Sequence, residues 1–183
     1  QIDGQYTDGS GSCVNTETQE LKRILLDKSR LSGTIPTACF VAEEMVAIGA
    51  ELTRISGTLP GELGSSVRAR GGHFMLKTLD IENTLISGSI PEDISNLVVL
   101  DTLLLKGARM TGEVPRYLPT IENSCSLTAR EGGDTDTALA REVRAGDWSD
   151  TDNSFTCPLP WGSLPNKCKG TAFCAKESAS VYT

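Results

Sequence analysis

One six-residue phrase occurs four times in this sequence and constrains its fold more than any other feature. It reads Leu31-Ser-Gly-Thr-Ile-Pro36, Ile55-Ser-Gly-Thr-Leu-Pro60, Ile86-Ser-Gly-Ser-Ile-Pro91 and Met110-Thr-Gly-Glu-Val-Pro115. Its glycines lie 24, 31 and 24 residues apart, so one 24-residue period carries an insertion in the third unit, which we place near residues 64–73. A fixed period of this length predicts a repeat architecture in which each unit buries its apolar face against its neighbours.

The segment before each phrase repeats as well. Its apolar residues keep the same offsets, and they are Leu21, Ile24, Leu26; Met45, Ile48, Ala50; Leu76, Leu79, Ile81; and Leu100, Leu103, Leu105. The L-x-L alternation predicts a short strand whose alternate side chains point inward. The full template, L-x-x-L-x-L-x-x-N-x-L-S-G-x-I-P, resembles the leucine-rich repeat family, in its plant-type subclass, over residues 21 to about 121. The resemblance implies a short α/β solenoid, a right-handed coil with a parallel concave sheet and an irregular or 3₁₀ convex side.

The template returns near the end of the chain. Residues 153–160 fit its second half, except that Cys157 replaces the glycine. Because Cys157 lies 45 residues after Gly112, or 24 plus 21, we expect a degenerate fifth unit around residues 124–133 and a shortened sixth. The predicted organisation is an N-terminal cap at 1–20, about six repeats at 21–160, and a C-terminal cysteine cap and tail at 161–183.

The buried asparagine of the family template is mostly replaced. Its position holds Ser29, Thr53, Thr84 and Ala108 in the first four units and is Asn only at Asn153. Hydroxyl groups can make part of the hydrogen bonds of an asparagine side chain, whereas Ala108 can make none.

The cysteines indicate an oxidising compartment. There are six, an even number, and no two have the C-x-x-C spacing of a zinc or redox site. We expect disulfides, with Cys13 paired to Cys39 and with Cys125, Cys157, Cys168 and Cys174 paired among themselves. The first residue is Gln1 rather than Met, which fits removal of a targeting segment, so we predict a secreted or cell-surface protein. No apolar stretch is long enough for membrane insertion.

Charge and composition argue against several functions. The net charge of -7 provides no positive field for nucleic acid. Residues 147–153 alternate oxygen-bearing side chains but lack the glycine and closing glutamate of a calcium loop, so we expect a solvated acidic segment. His73 is interpreted as part of the insertion, and Trp148 and Trp161 as cap core. We therefore expect no metal and no cofactor.

The resemblance implies a binding surface on the concave side, at the strand positions that the template leaves open. Carried over by offset, these are Arg23, Leu25, Asp27, Lys28, Ala47, Gly49, Glu51, Leu52, Thr78, Asp80, Glu82, Asn83, Thr102, Leu104, Lys106 and Gly107. Leu25, Leu52 and Leu104 suggest a patch for another protein, although scattered exposed leucines are also common on monomers. Asp80 and Glu82 with Lys106 are interpreted as a cross-strand charge pair rather than a catalytic set.

These observations predict a non-catalytic extracellular recognition module that binds a protein or glycan through its concave face. The first alternative is a structural subunit of an extracellular wall, sheath or surface appendage. The second, implied by the resemblance, is an inhibitor of a wall-degrading glycosidase.

Overall fold

The computed structural model describes residues 22–42, 44–65, 75–128 and 153–172. Within them the chain forms two parallel five-stranded sheets. The first sheet contains the L-x-L segments, for which the sequence predicts the concave side, and we call it the concave sheet. Its strands, in spatial order, are β1 (Arg23–Leu25), β3 (Ala47–Gly49), β5 (Thr78–Asp80), β7 (Thr102–Leu104) and β9 (Ser124–Ser126).

The second sheet lies on the other half of each coil. Its strands, in spatial order, are β10 (Ser154–Phe155), β8 (Arg109–Gly112), β6 (Leu85–Gly88), β4 (Arg54–Thr58) and β2 (Ser32–Thr34). The described ranges also contain three short helices: α1 (Thr37–Phe40), the 3₁₀ helix Glu92–Asn96, and α2 (Asn166–Lys169). The predicted class, a short repeat solenoid with a parallel sheet, is confirmed.

The second sheet was not predicted from the sequence. It forms because the phrases of neighbouring coils pair as parallel strands, with Gly33 opposite Ile55 and Gly57 opposite Ile86. The serines add hydrogen bonds between coils: Ser56 Oγ donates to the Gly33 carbonyl at 3.1 Å, and Ser87 Oγ donates to the Gly57 carbonyl at 3.4 Å. The glycine that follows has a positive φ, 107° at Gly57. A residue with a Cβ rarely adopts this conformation, which explains why the phrase repeats glycine at this position.

The core is one continuous cluster between the two sheets. The inward residues predicted from the L-x-L template are fully buried in the central coils, with Ile48, Leu79 and Leu103 each 0% exposed. Leu97 and Ile94 close the core beneath the 3₁₀ helix. Each coil contributes the same few aliphatic positions, so the core is a stack of equivalent layers.

The end of the repeat array differs from the expectation. β9 pairs with β7, and β10 pairs with β8 through Ser154 opposite Thr111 and Phe155 opposite Gly112. Both are therefore fifth strands of their sheets and complete one coil, rather than belonging to a fifth and a sixth. The spacing suggested two units because the chain between β9 and β10 is longer, by nearly one repeat period, than the chain between the corresponding strands of the earlier coils. One coil with an insertion therefore has the sequence length of two coils.

A cap closes the edge of β9. Cys125 in β9 is disulfide-bonded to Cys168 in α2, as expected for this group of cysteines. The Thr128 N–H donates to the Thr171 carbonyl at 2.8 Å, and Thr171 Oγ1 donates to the Cys125 carbonyl at 3.2 Å. These bonds satisfy backbone groups that an open sheet edge would leave exposed.

Two other expectations about the cap can be compared with the structure. Trp161 is 49% exposed, so its predicted place in the cap core is wrong; Leu159 and Leu164 are buried there instead. Cys39 and Cys157 are also disulfide-bonded. Cys13, Cys174 and Trp148 lie outside the described residues.

Removing the cap disulfide tests its contribution. We expect the double substitution Cys125→Ser with Cys168→Ser to lower the free energy of unfolding by about 2–5 kcal/mol, because the bond closes a long loop in the unfolded chain. Urea unfolding without reductant measures this. The control, Lys169→Ser on exposed α2, should change stability by no more than about 0.5 kcal/mol; equal effects would contradict the assignment.

Gly64 provides a test of the packing between coils. Its φ is +91°, and a Cβ there would lie 1.9 Å from the Asp93 carbonyl oxygen of the next coil. We expect Gly64→Ala to cost at least about 1–2 kcal/mol from the backbone conformation alone, with the clash added. Gly61→Ala is the matched control, since nothing lies within 4 Å of a Cβ there. Thermal melts of both variants would show whether only Gly64 is constrained.

Candidate functional site

The outward face of the concave sheet consists of parallel rows of side chains. Strand register places one row along Arg23, Ala47, Thr78, Thr102 and Ser124, and the next along Leu25, Gly49, Asp80, Leu104 and Ser126. Backbone bonds continue the pairing beyond the strands, for example from Leu52 N to the Glu82 carbonyl at 3.0 Å. A third row therefore follows, and it is formed by Asp27, Glu51, Glu82 and Lys106.

Four carboxylates gather on this face, and we call them the acidic cluster: Asp27, Glu51, Asp80 and Glu82. Asp27 Oδ1 accepts the Glu51 N–H at 2.9 Å, and Asp80 Oδ1 accepts the Glu82 N–H at 3.0 Å. Lys28 forms an ion pair with Glu51 at 3.5 Å. Side chains from three adjacent coils thus place more negative than positive charge at the centre of the sheet.

Gly49 makes room for part of this cluster. A Cβ at this position would lie 2.8 Å from Asp27 Oδ1 and 3.2 Å from Leu25 Cδ2. The side chains of Asp27 and Leu25 therefore lie directly over Gly49, and no larger residue fits without moving them.

Asp80 is the most perturbed group in the cluster. The pKa of Asp80 is raised from its ordinary 3.8 to about 7. Burial is the main cause; the hydrogen bond from the Glu82 N–H opposes it, and the charges of Glu82, Asp27 and Glu51 add to the rise. The pKa of Glu82 is also raised, mainly by burial, although Ser126 Oγ donates to its carboxylate and Lys106 lies nearby. Lys106 affects the pKa of Glu82 and is not among the groups that shift the pKa of Asp80, so its expected charge pair is with Glu82.

Three predicted site side chains do not face solvent. Ala47 is only 3% exposed, Leu52 5% and Thr102 7%. Thr102 Oγ1 donates to Asp101 at 3.0 Å and accepts from Asn123 Nδ2 at 3.0 Å, so its polar group is used within the fold. The predicted patch of three leucines is reduced to the half-buried Leu25 and Leu104.

Leu52 lies in a turn that recurs from coil to coil. Lys28, Leu52, Asn83 and Gly107 occupy equivalent positions, and all have a positive φ, from 52° to 68°. This turn redirects the chain from the concave sheet towards the second sheet. Since the position holds four different residue types, the sequence pattern gave no sign of its conformation.

The fifth strand of the face lies in the degenerate unit expected around residues 124–133, but none of its residues was included in the predicted site. Ser124 is exposed and Ser126 half-buried at its end. The signal that could have placed them on the face was Cys125 at an inward position, because the rest of the unit departs from the template.

No group of three His, Cys, Asp or Glu side chains in the described ranges could hold a metal ion. Asn153 is the last residue of the segment that the sequence predicts to be acidic and solvated. Its side-chain amide instead forms hydrogen bonds with the backbone: Met110 N donates to Oδ1 at 2.7 Å, and Nδ2 donates to the Leu105 carbonyl at 2.7 Å. His73 and residues 147–152 lie outside the described residues.

The comparisons with known proteins agree with this architecture. Residues 75–97 match the family model described as Leucine Rich Repeat. A comparison with curated proteins finds no match. The chain therefore carries a leucine-rich repeat, and its fold is that of a short leucine-rich-repeat solenoid.

This chain is similar to solved structures from Arabidopsis thaliana, and its likeness to the first of them supports the fold. The BIR3–SERK2 complex matches with a TM-score of 0.54 and 19% identity over 82% of this chain and 66% of that chain. The BIR2 ectodomain matches with a TM-score of 0.46 and 25% identity over 58% of this chain and 53% of that chain. This chain spans about two thirds and about half of those chains, respectively. In the part of the chain that the structure describes, no helix has the length and apolar character needed to cross a membrane.

The raised pKa of Asp80 predicts a pH-dependent stability. The folded state holds the Asp80 proton up to about pH 7, whereas the unfolded chain loses it near its ordinary pKa of 3.8. The stability that this group contributes is therefore largest below that value and declines as pH rises to about 7. We expect Asp80→Asn, which keeps an acceptor for the Glu82 N–H, to match wild type below the ordinary pKa of 3.8, near pH 3, and to exceed it increasingly up to about pH 7 and beyond. Thermal melts across this range measure the difference.

The control for this prediction is Glu122→Gln, an exposed carboxylate on the loop before β9. It should leave the pH profile unchanged. A constant difference between Asp80→Asn and wild type at every pH would show that Asp80 titrates as an ordinary carboxylate.

Proposed function

We propose that this protein is a non-catalytic recognition module that binds an extracellular protein partner through its concave sheet. The acidic cluster carries the proposal. Burying Asp80 with three other carboxylates nearby opposes folding at neutral pH, and the described residues offer only Lys28 and Lys106 as close positive charges. Groups whose pKa is perturbed by burial together with specific charges occur preferentially at functional sites.

The surroundings of the cluster favour a protein as the partner. Leu25 and Leu104 flank Gly49 and Asp80 in the same row, so apolar contacts and charges lie side by side. Interfaces between proteins combine a buried apolar centre with polar groups that fix orientation. A partner segment with both apolar and basic side chains would match this row.

The sheet limits the size of the interface. Its five strands span about 20 Å across, since neighbouring strands are about 4.8 Å apart. One extended segment or one helix of a partner fits on this width. We therefore propose a modest interface, at or below the standard size of about 800 Å² for each partner.

The proposed location is extracellular. The Cys125–Cys168 bond, together with the bonded Cys39 and Cys157, supports it, because structural disulfides persist in oxidising compartments. No feature of the described ranges favours a structural subunit or a glycosidase inhibitor over a recognition module.

Substitutions on the sheet test the binding face. We expect Leu25→Asp with Leu104→Asp to reduce partner capture from an extract of the native source at least about tenfold, because like charges and lost apolar contact both oppose docking. Quantitative mass spectrometry of proteins retained on the immobilised chain measures this. Val98→Asp is the matched control: Val98 is apolar and 73% exposed but lies outside the concave sheet.

A second variant separates binding from folding. Leu103 is fully buried beneath the same strand, so Leu103→Ala should cost roughly 2–5 kcal/mol of stability without specifically removing a partner from the folded protein. A partner that is retained equally by wild type and by the Leu25→Asp, Leu104→Asp variant would exclude the concave sheet as the binding face.

A further inference from the structure

Two exposed aromatic side chains lie close together on the surface, outside the concave sheet. Tyr117 is 61% exposed and Trp161 49%, whereas the other two aromatic residues of the described ranges, Phe40 and Phe155, are buried. Tyr117 follows β8 and Trp161 follows β10, and these two strands are neighbours in the second sheet. In the described part of the chain, exposed aromatic residues are thus confined to one region of the surface.

A hydrogen bond joins the two segments that carry these aromatic residues. Ser163 Oγ donates to the Arg116 carbonyl, and Trp161 lies only two residues before Ser163, a separation of no more than about 7 Å. The Arg116 guanidinium lies over the Tyr117 ring, 5.5 Å from its centroid, in a cation–π contact. We call Arg116, Tyr117 and Trp161 the aromatic patch.

Buried residues fix the backbone of the aromatic patch. Pro115 and Pro119 are buried on either side of its first two residues. Leu159 and Leu164 are buried on either side of its third residue, each 4% exposed. The patch is therefore held in place before a partner binds, which reduces the conformational entropy lost on binding.

The surroundings of the patch offer few free hydrogen-bond donors. The N–H groups of Trp161, Ser163 and Leu164 donate to carbonyls within their own turn. Proline has no backbone N–H, and five prolines lie within four residues of the patch along the chain: Pro115, Pro119, Pro158, Pro160 and Pro165. A partner that needs many hydrogen bonds, such as an added β-strand or a sugar with its hydroxyl groups, is therefore a poor match.

A proline-rich segment in the polyproline II conformation fits such a surface. Its backbone makes no internal hydrogen bonds and stays solvated, so it needs few donors from its partner. Segments of this kind dock on exposed aromatic side chains. Arg116 adds a positive charge that favours a carboxylate on the bound segment. Trp, Tyr and Arg are also the residue types that contribute most of the binding energy at protein interfaces.

We propose that the aromatic patch is a second docking surface, which binds an acidic, proline-rich segment of a partner protein in the polyproline II conformation. The rings of Tyr117 and Trp161 contact the prolines, and the Arg116 guanidinium pairs with a carboxylate beside them. This inference does not depend on the proposed function, because the patch lies outside the concave sheet.

A nuclear magnetic resonance titration with defined peptides tests the proposal. The probe is a synthetic peptide of repeated Pro-Pro-Glu triplets, whose carboxylates lie along one edge because the polyproline II helix has three residues per turn. We expect the indole N–H resonance of Trp161, identified by its absence in Trp161→Phe, to shift with a Kd of about 1 mM or tighter.

Two control peptides separate charge from conformation. Repeated Pro-Pro-Lys triplets keep the polyproline II helix and reverse the charge, whereas repeated Gly-Ser-Glu triplets keep the charge and lose the preformed helix. We expect each control to bind at least about tenfold more weakly than the probe. Equal binding of all three peptides would overturn the proposal.

Substitutions in the patch assign the binding to its residues. We expect Trp161→Ala and Tyr117→Ala each to weaken probe binding at least about tenfold, measured by the fluorescence anisotropy of a labelled probe, with little change in melting temperature. Arg116→Gln should remove most of the preference for Pro-Pro-Glu over Pro-Pro-Lys. Val98→Ala is the matched control, since Val98 is apolar, 73% exposed and lies elsewhere.

Three results would overturn the proposal. The first is no binding of the probe at about 1 mM, or equal binding by wild type and Trp161→Ala. The second is a shift of the Trp161 resonance with a uronic-acid oligosaccharide but not with the probe, which would make the patch a sugar site. The third is a dimer, detected by sedimentation, that forms with rising protein concentration and is lost in Trp161→Ala, because a second copy would then occupy the patch.

Discussion

The stacking of the coils depends on one recurrent hydrogen-bonded turn, located where each coil leaves the concave sheet. Thr84 shows it most clearly: its Oγ1 donates to the Ile81 carbonyl at 2.8 Å and accepts the Ile86 N–H at 3.3 Å. Thr53 makes the equivalent pair of bonds in the coil before. Both side chains are buried, so these backbone groups have no access to water and would be costly to leave unpaired. This turn joins the two sheets and thereby fixes the rows of side chains on the concave face.

Asn153 makes these hydrogen bonds for the fourth coil, whose own residue at the turn cannot make them. Ala108 has no polar group, yet the equivalent backbone groups of its coil, the Leu105 carbonyl and the Met110 N–H, are both bonded to the Asn153 side chain. Asn153 Nδ2 also donates to the Leu127 carbonyl in the fifth coil. One amide thus joins the fourth and fifth coils and anchors β10 beside β8. Ala108 cannot make the bonds of the template asparagine, and Asn153 of the next coil supplies them.

Much of this architecture could be predicted from the sequence, because the inward positions repeat with a fixed spacing and their burial follows from it. The burial of Leu79 and Leu103 was predicted from the L-x-L pattern, and the Cys125–Cys168 bond joins two of the four C-terminal cysteines that were expected to pair among themselves. The second sheet was not predicted, since its serines stabilise it through backbone carbonyls of neighbouring coils, which no local pattern reveals. The left-handed conformation at Leu52 was not predicted, because the four residues at its equivalent positions are of different types. The perturbation of Asp80 also depends on charges from other coils, which become neighbours only on folding.

The most direct test of this account is a double-mutant cycle at Asn153 and Ala108. We predict that Asn153→Ala lowers the free energy of unfolding by about 3 kcal/mol or more, since it leaves buried backbone groups of two coils without partners. Adding Ala108→Thr to that variant should recover about 1 kcal/mol, because the new hydroxyl can bond the Leu105 carbonyl and the Met110 N–H as Thr84 bonds its own coil. The measurement is urea unfolding of the four proteins in the cycle. A loss below about 0.5 kcal/mol for Asn153→Ala, or no recovery on adding Ala108→Thr, would contradict the central role of this turn.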